Sequence, residues 1–204
     1  MSAINTLNRR ENLKETLIGA AERAITSQGL RSLRARALAD AAGCAVGAIY
    51  NVVSDLDDLI LAVNSRTLAL LERELSAASR MGEAEHGPEA IARLVALANA
   101  YLDFAAANTL RWRAVFEHRM AEGHKVPEWY VEDQRRLFDY VENPLRQLQP
   151  QASPARRALL ARSLFSAVHG MVVLGLEEKL HVVPLPVLRE QLTFMVSTIG
   201  RGMT

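Results

Sequence analysis

Seven bases stand in the first 54 residues: Arg9, Arg10, Lys14, Arg23, Arg31, Arg34 and Arg36. Four acids accompany them, Glu11, Glu15, Glu22 and Asp40, so this stretch carries a net +3. The remaining 17 bases and 19 acids give −2, and the whole chain is +1. Guanidinium and ammonium groups pair with phosphate oxygens. A basic end on a near-neutral remainder suits a protein that touches phosphates at one end only. Catalytic chemistry has no comparable signal. The sequence has no Gly-rich phosphate loop, paired cysteines, His-Glu-x-x-His or nucleophile elbow, which argues against an enzyme. Glu117, His118 and His124 are ligand-type side chains, but at a helix end and in a loop they read as solvated. No metal or cofactor is expected.

The elements that must position these residues are helical. Leu and Ala dominate, half the residues are hydrophobic and aromatics are only 5%, which favours helices over strands. Leu13, Leu17, Ala20, Ala21, Ala24 and Ile25 mark one face of a first helix that Gly29 ends. A short helix then runs from Ser32 or Leu33 to about Ala42, Gly43 breaks it, and another covers roughly residues 45–52. Ser54 with Asp57, or Asp55 with Asp58, caps a long helix reaching about Arg80. Residues 81–87 read as a polar loop, and Pro88 opens the next helix. Helices follow over about 110–120 and 127–149, the latter expected to kink at Asn143-Pro144.

The last two helices are different. Over residues 159–176 the only charged side chain is Arg162, and a helix apolar on nearly every side must be covered on nearly every side. This helix and the final stripe Leu188, Leu192, Met195 and Ile199 read as a dimer interface or as the centre of the protomer core. The run 164–176 is too short to span a bilayer, and residues 1–10 lack the apolar run of a signal peptide. One cysteine, Cys44, fits a reducing compartment. A soluble, cytoplasmic protein without a membrane partner is expected. Cys44 reads as packed filler rather than a redox switch.

Residues 34–53 form the sharpest motif. Two short helices joined by a tight turn need a small residue at their crossing and a glycine where the chain reverses. Leu38, Ala39, Ala42, Gly43, Ile49 and Tyr50 meet those needs. Leu38 and Ile49 can pack against the first helix, Ala39 allows close approach, and Gly43 can turn left-handed at the helix end. This is a helix-turn-helix, whose second helix is free to enter a major groove with its N-terminal residues at base edges.

The same stretch resembles the TetR family of bacterial transcriptional repressors. The matching residues are Leu17-Ile18-Gly19-Ala20-Ala21, Gly29-Leu30, Leu33 to Ala39, Ala41 to Asn51 and Leu56-Asp57-Asp58-Leu59-Ile60. They cover about the first quarter of the chain. Ala167-Val168-His169-Gly170 is similar to the Trp-His-Gly signature of one C-terminal ligand-binding subgroup, with Val168 in the tryptophan position. The resemblance implies an all-α homodimer of about nine helices. Residues 1–54 would be the DNA-binding domain, and 55–204 the effector-binding and dimerisation domain, joined through the last two helices. It implies repression of a double-stranded DNA operator, relieved by a small-molecule effector.

Residue roles follow from the resemblance. Arg36 matches a family arginine that contacts DNA, and Arg34, in place of a threonine, adds a phosphate contact. Ala45 and Val46 begin the recognition helix. Gly47 and Ala48 match the small residues that let it approach the backbone. Tyr50 matches an aromatic near the phosphates, and Asn51 can hydrogen-bond a phosphate or base edge. Three positions depart from the pattern: Val46 replaces a polar or basic residue, Val52 a second aromatic, and Leu56 a phosphate-binding lysine. These motivate a rival reading, an all-helical ligand-binding or adaptor protein without useful DNA affinity.

For the effector, the aromatics Tyr101, Phe104, Trp112, Phe116, Trp129, Phe138 and Phe165, with His169, either line an apolar pocket or form plain core. With few charges facing such a pocket, the effector would be mostly apolar.

Overall fold

The computed structural model describes residues 2–80, 87–177 and 183–203. Among these it has nine α-helices and no strand: α1 Ser2–Gln28, α2 Ala35–Ala42, α3 Val46–Ile49, α4 Leu56–Arg80, α5 Gly87–Ala107, α6 Thr109–Glu117, α7 Glu128–Leu148, α8 Pro154–Leu176 and α9 Leu185–Arg201. The all-α expectation holds. Of the expected loop over 81–87, residues 81–86 lie outside the described residues, and Gly87 already belongs to α5.

Helix ends follow local chemistry. Gly29 ends α1 at φ 81°, and its N–H donates to the Ile25 carbonyl at 2.9 Å. Leu30–Ser32 then forms one 3₁₀ turn, so α2 begins at Ala35 rather than at Ser32 or Leu33. The reason is Arg34, whose backbone is extended at φ −138°, ψ 132°. Gly43 closes α2 at φ 64°. Its N–H donates to Asp40 O at 3.2 Å while the Cys44 N–H reaches back to Ala39 O at 3.0 Å. This pair of bonds is the Schellman arrangement, and it needs a residue at ease in the left-handed region. Of the two cap pairings expected for α4, the chain uses Asp55 with Asp58. Asp58 N donates to Asp55 Oδ1 at 3.0 Å, and Asp58 Oδ2 accepts from Ser54 N at 2.8 Å. Helix α7 continues through Pro144 to Leu148.

The residues fall into two compact units. Residues 1–68 with 108–131 form the first, and 69–107 with 132–204 the second. In the first, one cluster joins Leu17, Ala21 and Ile25 of α1 to Leu38 and Ala39 of α2 and to Ile49 of α3. It also takes in Leu59 and Val63 of α4 and Ala114 of α6. Full burial of each large aliphatic side chain contributes about 1.5–3 kcal/mol, so α3, only four residues long, is held chiefly by Ile49. Polar groups brace the same unit. Glu22 of α1 accepts from Arg66 Nη1 at 3.0 Å and from Arg111 Nη2, and Arg66 also reaches Glu15. Fully buried Asn64 donates to the Ala114 carbonyl at 3.3 Å.

In the second unit α9 packs closely on α5. A Cβ on Gly200 would lie 2.9 Å from Ile91 Cγ1 and 3.1 Å from its Cγ2, so only glycine allows that approach to a stiff, branched side chain. Helix α8 buries Ala161, Leu164, Val168 and Val172. At 23 residues and a mean hydropathy of 1.7 it is long and apolar enough to cross a membrane by length and composition, as is residues 89–107 of α5. The apolar run 164–176 is therefore part of a longer element than its own length suggested. A core helix of a globular unit has the same signature, and both helices bury a face within their unit.

Candidate functional site

The helix-turn-helix sorts its residues into two sides. Leu38 and Ile49, at 2% and 0% exposure, face the core with Ala39. Arg34, Arg36, Ala45, Val46, Gly47, Tyr50 and Asn51 are exposed, and Ala48 is half-buried. Ala45, at φ −73° and ψ 148°, precedes the helix, and its carbonyl accepts from Ala48 N at 2.9 Å. A Cβ on Gly47 would meet nothing within 4 Å, which leaves open space on this side of α3. The Arg34 guanidinium folds onto its own chain, donating from Nη1 to the carbonyls of Arg31 at 2.7 Å and Leu33 at 2.8 Å.

Two of the three departures from the family pattern have a structural reason. Val52 is 8% exposed and belongs to the core cluster, and Leu56 packs against the same cluster. Both serve the packing of the first unit. Only Val46, 39% exposed, stands on the open side of α3. Cys44 is half-buried against the core, as filler would be.

The structure also gathers residues that the motif does not include. Arg10 and Lys14 of α1 line a cleft of about 390 Å³ together with Tyr50, Ser54, Asp58 and Trp129. Two cations thus stand beside the exposed tyrosine ring. Their spacing of four residues on α1 was legible; their position beside Tyr50 depends on how α1 crosses the motif.

The aromatic residues divide between the units. Tyr101, Phe138, Phe165 and His169 come together in the second. Phe165 packs edge-on to Tyr101 at 5.6 Å and to Phe138 at 5.5 Å, and stacks on His169 at 5.5 Å. The Tyr101 hydroxyl and His169 Nδ1 are hydrogen-bonded at 2.7 Å, and the Arg162 guanidinium lies over Phe138. Burial pushes the His169 ring below the ordinary 6.5, toward the neutral imidazole. Phe104 is buried on α5. Trp112 and Phe116 pair with each other in the first unit at 5.7 Å, where Trp112 is 2% exposed. Trp129 is 48% exposed beside the basic cleft.

Of the ligand-type side chains that read as solvated, Glu117 is exposed. His118 is not: its side chain is 8% exposed, with Nε2 3.6 Å from Asp57 Oδ1. Burial pushes this ring below 6.5 against the opposing pull of Asp57 and Asp55. His124 is half-exposed, yet its Nδ1 lies 3.1 Å from Asp55 Oδ2. Both acids belong to the start of α4, some 60 residues earlier, so no local pattern could reveal the pairing.

Among the described residues the chain is all-α, with a tight helix-turn-helix whose open side carries Arg36, Val46, Tyr50 and Asn51. A family described as tetracyclin repressor-like, C-terminal domain, matches residues 94–199, and the chain belongs to this TetR family. Among solved structures, a protein of unknown function from Rhodococcus sp. RHA1 is similar at 26% identity and a TM-score of 0.72, with 93% of this chain and 94% of that one covered. A TetR-family transcriptional regulator from Streptomyces coelicolor shares 20% identity over 95% of this chain and 84% of that one, with a TM-score of 0.64. One from Bordetella parapertussis 12822 shares 16% over 91% and 94%, with a TM-score of 0.61. These last two share the fold. No curated protein matches at a significant level.

Proposed function

We propose that this chain is a DNA-binding transcriptional regulator, a repressor released by a small, mostly apolar effector. Residues 1–54 act on DNA and residues 55–204 carry effector binding and dimerisation. The observation that carries the reading is the sidedness of the motif: Leu38, Ala39 and Ile49 are buried while Arg36, Val46, Gly47, Tyr50 and Asn51 are open. That is the arrangement needed for α3 to lie in a major groove. Arg36, Tyr50, Arg10 and Lys14 serve as phosphate contacts, and Val46 and Asn51 meet base edges, the valine suiting a thymine methyl.

Two chains join through α8 and α9, which leave Leu159, Leu174, Val187 and Phe194 exposed at 58%, 47%, 44% and 64%. The effector sits against Tyr101, Phe138, Phe165 and His169, where one polar pair is set among rings. Its binding favours a state of lower operator affinity, so the two sites are coupled by differential affinity. The rival adaptor reading rested on Val46, Val52 and Leu56, and loses support because the last two are packing residues.

The test is fluorescence anisotropy of DNA flanking the protein's own gene, over a range of salt. Arg36→Ala is expected to weaken binding to every DNA sequence and to reduce the slope of log affinity against log salt by about one. An unchanged slope removes Arg36 from the interface; no binding at low salt by the unaltered protein favours the adaptor.

A further inference from the structure

We propose that Asp55, Asp57 and His124 form a binding site for a divalent transition metal, with Zn²⁺ the best-suited ion and His118, beside Asp57, the candidate fourth ligand. Single ligand atoms of Asp55, Asp57 and His124 all lie within 4.8 Å of one another. His124 Nδ1 is 3.1 Å from Asp55 Oδ2 and 3.9 Å from Asp57 Oδ2. Tetrahedral zinc with bonds of about 2.0–2.1 Å places neighbouring ligand atoms roughly 3.3 Å apart, a spacing that the Asp55, Asp57 and His124 atoms approach.

An independent observation points the same way. The His118 ring is more than nine-tenths buried, its Nε2 has no hydrogen-bond partner, and that nitrogen faces Asp57 Oδ1 at 3.6 Å. A buried ring nitrogen without a partner is costly unless something binds it.

Local structure prepares each ligand. Asp55 uses Oδ1 to cap α4, accepting from Asp58 N, which leaves Oδ2 toward His124. The Ala121 N–H donates to Asp57 Oδ2 at 3.0 Å and fixes the carboxylate, as outer-shell donors do in metal sites. Gly123, at φ 82°, turns the chain between Ala121 and His124, whose N–H donates to the Ala121 carbonyl at 3.0 Å. Two carboxylates balance the charge of a divalent ion, and imidazole from His124, joined by His118 as fourth ligand, selects Zn²⁺ over Mg²⁺ or Ca²⁺. Metal there would tie the first turn of α4 to the segment that follows α6. Neither DNA nor effector binding is needed for this inference.

The test is calorimetric titration of the untagged full chain with Zn²⁺, and with Co²⁺ read by its visible absorption. One ion per chain is expected, with a tetrahedral Co²⁺ spectrum. Asp57→Asn and His124→Ala should each lower the affinity by at least roughly tenfold, while Glu117→Gln leaves it unchanged. Asparagine preserves an acceptor for the Ala121 N–H, and His124 is half-exposed, so both variants keep their fold. No saturable binding, or equal binding by unaltered protein and both variants, overturns the proposal.

Discussion

Replacing Gly47 with glutamate is expected to abolish operator binding without loss of stability. Gly47 stands in the first turn of α3, exposed, with nothing within 4 Å of the place a Cβ would take. The free protein therefore accommodates the side chain without a clash. An acid near a helix N-terminus is neutral or slightly favourable. In the complex the same carboxylate would be pressed against phosphates. Like-charge contact of that kind costs several kcal/mol, and roughly 3 kcal/mol is already about a hundredfold in affinity. Anisotropy should show at least that loss, while the thermal midpoint stays at that of the unaltered chain. Retained binding would mean that α3 does not approach DNA by this side. A fall in the midpoint would mean that the open space is used by the fold.

Phe194→Asp is expected to give a folded monomer with a weakly binding head. Phe194 is the most exposed large apolar residue on the last two helices, at 64%, while Leu188, Leu192 and Val196 of the same helix are buried and hold it in place. The substitution therefore spares the protomer core. Its effect falls on any surface that covers Phe194, where an unpaired carboxylate is strongly disfavoured. Light scattering after size exclusion should report one chain where the unaltered protein gives two. Losing one of two linked heads removes an effective-concentration advantage of about 10²–10⁴, so operator affinity should fall in that range. A dimer of normal mass would place the interface elsewhere.

Local chemistry is the part of the fold most legible in the sequence. Gly29 and Gly43 each stand where the backbone enters the left-handed region, and the Asp55–Asp58 cap lies within one turn. Leu38, Ala39 and Ile49 declare their buried side by spacing. Contacts whose partner lies far along the chain leave no local pattern. Val52 and Leu56 look like lost DNA contacts when set against a family pattern, yet Val52 belongs to the core cluster of the first unit and Leu56 packs against it. His118 and His124 look solvated beside their own neighbours, and only the fold brings Asp55 and Asp57 to them. The aromatics gave no sign of their division, because ring spacing along α5, α6 and α7 is equally compatible with either unit.

The most direct measurement of the central claim is selection of binding sites from random duplex DNA by the purified protein. One pseudo-palindrome should be enriched, with half-sites centred about one helical turn, or a small multiple of it, apart. Val46 and Asn51 substitutions should shift the enriched bases while Arg36→Ala does not. Failure to enrich any sequence, at a salt concentration low enough for phosphate contacts to form, would contradict the claim.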